Sequence, residues 1–401
     1  GKKKKRIKAN PLIFLNNLLG KFNAKVPKGL PKMASMLVGY FSYDVIRYIE
    51  KIPDKCRDDL RLPDVRLSRP RSLVIYDNLK KKIYYIENIF SDTPIKNYFD
   101  TYQLIKNNFD LFQQYENIEL PEKFTFKKNK NKIKSNISKN KFKSIVLKAK
   151  KHIKKGDIFQ VVLSQRFERK FKKTPLEIYN ELRKSNPSPF MFYFNYEDFK
   201  VLGSSPEILV RLRNKQVTVR PIAGTRPRGK NKIQDKKYKK DLLKDKKELA
   251  EHLMLLDLGR NDVGRVSKIN TVKVTESFKV EKYSHVMHIV SNVVGKFNDK
   301  ISTFETLLSG FPAGTVSGAP KIRAMEIIDK LEKNKRKLYA GGIGYFTSNK
   351  EFDTCIALRT ALIKNNKFYV QAGAGIVADS NPEKEYQETV NKAKALMKAV
   401  N

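Results

Sequence analysis

The sequence predicts a mixed α/β fold of the α+β kind, with neighbouring strands antiparallel. Three observations predict it. Between residues 190 and 219, short apolar runs follow one another with no helical segment among them. A second such group closes the chain between residues 345 and 372. The helical segments are scattered around these groups instead of alternating with single strands, which argues against a doubly wound parallel sheet. A chain of 401 residues can bury a large core, either as one α/β unit or as about two or three domains.

Taken in order, Leu37–Phe41 and Ser72–Tyr76 read as strands, and Ile83–Ile86 pairs with the second. Thr101–Gln114 reads as a helix. Residues 119–141 are rich in Lys and Asn and contain Pro121 and Ser135, the composition of a linker or a long surface excursion. This divides the chain into a front portion (1–120), a linker (121–140) and a larger rear portion (141–401). The rear portion should hold a helix (Lys141–Lys154), a strand (Asp157–Phe167), a helix (Pro175–Lys184) and paired strands at Phe190–Tyr196, Phe199–Ser204, Ile208–Arg213 and Gln216–Val219. One long helix is expected over Lys239–Leu258, with Leu242, Leu249, Leu253 and Leu256 as its buried stripe. Tyr345–Phe346, Thr354–Ile363 and Lys367–Ala372 form the closing antiparallel group. A last helix starts at Pro382, capped by Ser380 or Asn381, and buries Tyr386, Val390, Ala393, Met397 and Val400.

Composition excludes several classes. Lys and Arg number 83 against 41 Asp and Glu, a net charge of +42. Such an excess often marks nucleic-acid binding. Here the lysines are scattered among Asn and Ile, and neither an RNA-reading sheet motif nor a Cys/His finger accompanies them. They read as solvated surface charge. Two cysteines, Cys56 and Cys355, are too few and too far apart for a disulfide framework or a zinc site, which fits a reducing compartment. The opening Lys2–Arg6 run lacks a following signal-peptide core, and no apolar run has the length of a membrane span. A cytoplasmic, soluble protein is expected. Residue 1 is Gly, so the sequence is expected to begin inside its gene product.

The most informative stretch is Phe311–Ile328. A loop carrying Gly314 and Gly318 runs into a helix with Pro320 in its first turn and Ile322, Met325, Ile328 and Leu331 on its apolar face. Such a loop can aim backbone N–H groups at a small anion. Two further glycine-bearing turns, Pro221–Gly229 and Gln371–Ile376, each follow a strand and could bring backbone close to an anionic ligand. Neither is a P-loop or a dinucleotide fingerprint. Glu248 and Glu251 share one helical surface, and Glu385, Glu388 and Lys392 share another. Two helices could therefore each offer a carboxylate to one Mg²⁺ ion, which asks for few protein ligands. His285-x-x-His288 lacks the helical spacing of a zinc pair, so His288 is better read as a single base or proton carrier.

Together these segments resemble the chorismate-utilising enzymes, and within them the anthranilate synthase large-subunit (component I) group. The carrying motifs are Gly156–Gln165, Gly203–Ile208, Pro221–Gly229, Glu248–Asp262, Tyr283–Ser291, Phe311–Ile328, Gly341–Tyr345 and Gln371–Lys392. Their order and spacing match over residues 141–401, with a weaker match at Val38–Asp44 in the front portion. The resemblance implies one large α/β unit of two stacked, mostly antiparallel sheets flanked by helices, with the site between them. Residues 141–401 would be catalytic and 1–120 regulatory or scaffolding. Glu251 and Glu388 match Mg²⁺ ligands. Gly224, Thr225, Tyr339, Arg359, Gly373, Ala374, Gly375 and Lys392 match groups that bind chorismate. Glu207 matches the acid that protonates the departing 4-hydroxyl, and His288 and Thr315 match residues beside the ring.

The implied reaction is Mg²⁺-dependent conversion of chorismate and ammonia to anthranilate and pyruvate, the entry to tryptophan biosynthesis. Relatives that add water carry a lysine where this chain has Gln160. Relatives that make 4-amino-4-deoxychorismate for the folate pathway carry a nucleophilic lysine where it has Ala223. The first difference favours ammonia over water as nucleophile, and the second favours anthranilate over aminodeoxychorismate; a basic nucleic-acid-binding protein is the remote alternative. No glutamine amidotransferase motif surrounds Cys56 or Cys355, so a separate glutaminase subunit should supply ammonia. Pro189, Phe190 and Met191 match the downstream half of a tryptophan inhibitor site. The upstream Leu-Leu-Glu-Ser half is not in this sequence, so the chain is expected to begin after it.

Overall fold

A computed structural model describes residues 7–90, 98–114, 131–283 and 286–400. Helix α1 (Pro11–Lys21) is capped by Asn10, whose side chain accepts from the Leu12 and Ile13 amides. Strands β1 (Met36–Phe41) and β2 (Val65–Ser68) follow, then the hairpin β3 (Ser72–Asp77) and β4 (Lys82–Glu87), and helix α2 (Tyr98–Gln114). After β5 (Lys134–Ser135) come α3 (Lys139–Lys154), β6 (Gln160–Lys170), α4 (Pro175–Ser185), β7 (Phe190–Asn195), β8 (Lys200–Ser205), β9 (Ile208–Arg213), β10 (Gln216–Val219) and β11 (Ile222–Pro227). The chain continues through α5 (Lys232–Leu242), α6 (Lys246–Gly264), β12 (Lys273–Lys282), β13 (Val286–Lys296) and α7 (Thr303–Ser309). It ends with β14 (Gly318–Ala319), α8 (Lys321–Leu331), β15 (Gly342–Thr347), β16 (Phe352–Ile356), β17 (Thr360–Lys364), β18 (Lys367–Ile376) and α9 (Pro382–Met397).

Two large antiparallel sheets result, as expected for an α+β chain, beside the separate β3–β4 hairpin. One has the order β11-β13-β10-β9-β16-β15-β1-β2, with β12 paired to β13. The other has the order β14-β6-β18-β17-β8-β7, with β5 paired to β6. Tyr40, Ile343 and Cys355 of the first sheet pack with Val201 and Leu362 of the second, so the two are stacked through a shared apolar layer. Helices cover the outer faces. Leu15, Leu256 and Leu307 of α1, α6 and α7 pack on the first sheet. Ile178 of α4 and Ala393 and Met397 of α9 pack on the second. β1 pairs with β15 over Met36–Phe41, so the front portion shares a sheet with the rear one. Of the expected linker, residues 121–130 lie outside the described residues, and Lys134–Ser135 pairs with β6.

Several expectations are corrected. The long helix over Lys239–Leu258 is two helices, because Asp245 caps a new start by accepting from the Lys247 and Glu248 amides. Leu242 therefore belongs to α5, and Leu253 is 50% exposed and outside the buried stripe. The run Thr354–Ile363 is two strands in different sheets, β16 and β17, joined by a crossing at residues 357–359. The Gln371–Ile376 stretch is no turn but part of β18, which pairs with β6 without interruption from Lys367 to Ile376. Likewise Gly224 and Thr225 lie within β11, at a bulge between Ala223 and Thr225. Ile322 is 47% exposed, since α8 turns Ala324, Met325, Ile327 and Ile328 inward instead. Pro320 caps α8 from just outside it.

Candidate active site

The site is built where the two sheets face each other. Glu207 follows β8 and precedes β9, at the point where the chain passes from the second sheet to the first. It is 6% exposed, and Thr315 Oγ1 donates to its Oε1 at 3.0 Å. Burial pushes its carboxyl up to about 8, against the lowering effects of the Thr315 bond and the nearby charges of Arg359 and Lys392. Glu207 is therefore a carboxylic acid at neutral pH, able to donate a proton.

His288 lies on β13 directly opposite Thr225 on β11. Its Nδ1 is 2.9 Å from the Gly224 carbonyl and 3.1 Å from Thr225 Oγ1. Only a donor satisfies the carbonyl, so Nδ1 carries the hydrogen and Nε2 keeps its lone pair. Burial and the charges of Arg359 and Lys392 lower the imidazole's proton affinity, against the Gly224 bond, and keep it neutral. The Gly224 conformation has φ of 67°, a left-handed value that suits glycine and turns its carbonyl to this task. Tyr283 stacks edge-on against the His288 ring at 5.5 Å. The other histidine of the pair, His285, lies outside the described residues.

Arg359 ends the crossing between the sheets, in a left-handed conformation at φ 47°. Burial lowers its proton affinity, and Tyr283 and Glu207 are the groups that oppose this. No ion pair engages its guanidinium among the described residues. A largely buried guanidinium without a carboxylate partner suits an anionic ligand.

Gly373 and Gly375 face the inter-sheet space from β18, while Ala372, Ala374 and Ile376 pack toward the covering helices. A Cβ on Gly375 would lie 2.5 Å from Gln160 Nε2, and one on Gly373 would lie 2.5 Å from the Tyr339 hydroxyl. Only bare backbone fits there. Gln160 Nε2 in turn donates to Glu251 Oε1 on α6 at 3.0 Å. Lys392 on α9 donates to the Gly373 carbonyl at 3.1 Å and pairs with Glu388 at 2.6 Å. Glu251 thus lies beside Gly375 and Gln160, and Glu388, from a different helix, is linked through Lys392 to Gly373. Tyr339 is buried with its hydroxyl held protonated by that burial, and the Arg336 guanidinium lies 5.4 Å over its ring.

The carboxylates suit a hard divalent ion. Glu248 feels the charge of Glu251, and Glu385 that of Glu388; burial and this like charge raise the proton affinity of both Glu248 and Glu385. Gln160 Oε1, beside Glu251, is buried with no hydrogen-bond partner. Among the described residues, no group of three or more His, Cys, Asp or Glu side chains could hold a metal. An ion here would draw further ligands from substrate or water, as Mg²⁺ usually does.

The match to the chorismate-binding enzyme model spans residues 1–398. The chain belongs to the chorismate-binding enzymes. Within that family it is 50% identical to anthranilate synthase component 1 of Cereibacter sphaeroides over 394 residues, covering 98% of this chain and 79% of that protein. It is 47% identical to the Aquifex aeolicus protein of the same name, covering 98% of this chain and 79% of that protein. The solved structure of anthranilate synthase component I from Streptococcus pneumoniae superposes with a TM-score of 0.88 at 38% identity, covering 98% of this chain and 86% of that one. A menaquinone-specific isochorismate synthase from Escherichia coli shares the fold, with a TM-score of 0.71 at 22% identity over 92% of this chain and 80% of that one.

The geometry therefore brings together, in this chorismate-binding enzyme, the residues that the sequence motifs singled out around Glu207, His288, Arg359 and β18. Pro189, Phe190 and Met191 lie apart from them, at the start of β7 on the edge of the second sheet. Phe190 pairs with Ser205, two residues before Glu207. Sequence reasoning missed two neighbours of the site. Tyr283 heads the same motif as His288, and that position was its signal. Arg336 had none: it follows α8 and makes its bonds to Glu332 and to the Val316 and Val162 carbonyls only in the fold.

Proposed function

We propose that this chain converts chorismate and ammonia to anthranilate, pyruvate and water in an Mg²⁺-dependent reaction. The observation that carries the reading is the convergence of unpaired Arg359, protonated Glu207 and neutral His288 on one cleft between the sheets. Near full-length similarity to anthranilate synthase components supports it.

Chorismate is a dianion. Arg359 and Lys392, the Tyr339 hydroxyl and the backbone of Gly373, Ala374 and Gly375 would hold its carboxylates and enolpyruvyl arm, with Gly224 and Thr225 across the cleft. Glu251 and Glu388 would hold Mg²⁺, which offsets negative charge on the ring carboxylate. Hydroxide is a poor leaving group, and Glu207 would give its proton to the 4-hydroxyl as that group departs as water. Ammonia forms the new bond at the ring's second carbon. Thr315 keeps the Glu207 carboxyl aimed, since it already donates to Oε1. In the second step His288 Nε2 would take the proton from the aminated carbon as pyruvate is expelled and the ring becomes aromatic.

Two positions bear on the nucleophile. Gln160 is an amide bonded to Glu251 and cannot serve as the base that water addition needs. Ala223 sits in β11 with no nucleophilic atom, which disfavours the aminodeoxychorismate alternative. A separate glutaminase subunit supplying ammonia, a cytoplasmic location, and L-tryptophan as an inhibitor at Pro189–Met191 complete the proposal. Among the described residues no helix is long and apolar enough to cross a membrane.

Incubation with chorismate, Mg²⁺ and ammonium should yield anthranilate, read by its fluorescence; glutamine alone should not substitute. Absence of anthranilate would overturn the reading. Glu251→Gln and Glu388→Gln should each abolish turnover, and normal turnover in either at saturating chorismate and Mg²⁺ would refute the metal assignment.

A further inference from the structure

The segment between α7 and α8, residues 310–320, carries Thr315 and is seated on α6. A Cβ on Gly314 would meet Leu258 Cδ1 at 2.8 Å and Leu255 Cδ2 at 3.4 Å. At the start of the segment, a Cβ on Gly310 would come within 3.9 Å of Asp262 Oδ2. At its end Lys321, the first residue of α8, sends Nζ to both carboxylate oxygens of Asp262 at 3.0 Å. Asp262 is 4% exposed and the Lys321 side chain 15%. One buried ion pair thus fastens the end of the segment to α6, while its start passes close to the same Asp262 carboxylate.

Stability alone does not account for this pair. Asp262 lies in the last turn of α6, where the negative end of the helix dipole opposes a carboxylate. Lys321 lies in the first turn of α8, where the positive end opposes an ammonium. Burial adds a desolvation cost to both charges and raises the proton affinity of Asp262. A pair placed for stability would have its signs exchanged.

Its placement points to the site instead. Glu251, Leu255, Leu258 and Asp262 recur at i, i+4, i+7 and i+11 and so share one face of α6. That face presents Glu251 at one end and supports the Thr315 segment at the other. We propose that the Asp262–Lys321 pair is a positioning clamp that holds Thr315 against Glu207. The proposal rests on the reading of Glu207 as the proton donor.

The Thr315 bond favours the Glu207 carboxylate over the acid, so loosening it raises the proton affinity of Glu207. Several other groups face Glu207. They are Arg359 at the crossing, Lys392 on α9 and Tyr283 after β12. Arg220, before β11, and Asp262 line a cavity that also touches Glu207 and Thr315. Direct electrostatics from the pair would therefore act too, but with opposite sign for its two members.

That difference supplies the test. Asp262→Asn and Lys321→Met are compared by the pH dependence of kcat/KM and by the infrared band of the protonated Glu207 carboxyl. The clamp predicts that both variants move the Glu207 titration upward, by about half a unit. It predicts a fall in kcat of about tenfold with little change in the chorismate KM. In a Thr315→Val background the shared upward shift should vanish, leaving only the direct electrostatic effects, downward for Asp262→Asn and upward for Lys321→Met. Opposite shifts for the two single variants, or an upward shift by Asp262→Asn that persists in Thr315→Val, would overturn it. If one single variant fails to fold, Asp262→Asn combined with Lys321→Met removes both charges and carries the same expectation. Full turnover in Glu207→Gln would remove the proton-donor reading. The infrared titration would still show whether the pair holds Thr315 on Glu207.

Discussion

Glu207 is surrounded by groups that pull its proton affinity in opposite directions, and burial wins. The folded value is raised to about 8 from an ordinary 4.5, with burial the largest cause. Between those values the folded chain keeps a proton that the unfolded chain has lost. Its stabilising contribution is full below the unfolded value and is lost as pH rises through the folded one. Glu207→Gln should therefore abolish turnover yet flatten the fall in thermal stability between pH 5 and pH 9, as read by melting curves across that range. A variant that melts with the same pH slope as the parent would show that Glu207 titrates normally. The same acid form sets an upper limit to activity, which should decline above about pH 8.

At the scale of elements, the break between α5 and α6 matters most. Arg226 reaches Asp241 at 2.6 Å on α5, Asp245 at 2.7 Å at the cap and Glu248 at 3.4 Å in the first turn of α6. The junction that begins the Glu251 helix is thereby tied to the strand that carries Gly224. Asp245→Ala removes both the cap and one Arg226 partner and should cost about 1 kcal/mol or somewhat more. Urea unfolding would measure it, and an unchanged midpoint would deny the cap its role. This break was legible: Asp245 followed by Glu248 is a helix-start signal that the apolar stripe of leucines overrode. The crossing at Arg359 was not legible, because an arginine in the left-handed region leaves no local trace and the flanking residues all favour strands. The glycines of β18 misled in the opposite direction. They look like turn residues, but here they let side chains from β6 and Tyr339 approach a central strand. β12 escaped notice because it is a polar outer strand, with Thr275, Glu276, Lys279 and Glu281 among its residues. The site residues were named from long ordered motifs, a reading that did not depend on correct element boundaries.

For the molecule as a whole, a net charge of +42 should speed the capture of a dianionic substrate. Raising ionic strength from low to physiological levels should lower kcat/KM for chorismate several-fold while leaving kcat nearly unchanged. A salt-independent kcat/KM would mean that the excess lysine plays no part in encounter. The stacking of two sheets was an expectation drawn from family resemblance, and the apolar layer shared by Tyr40, Ile343 and Cys355 with Val201 and Leu362 gives it physical form. The chain passes between the layers at Glu207 and again at residues 357–359, so the donor of the proton and the receiver of the anion both sit on threads stitching the layers together. Neither layer can therefore work by itself. During renaturation, helix content and strand pairing could each recover within a layer, yet anthranilate formation must wait until both threads are drawn tight.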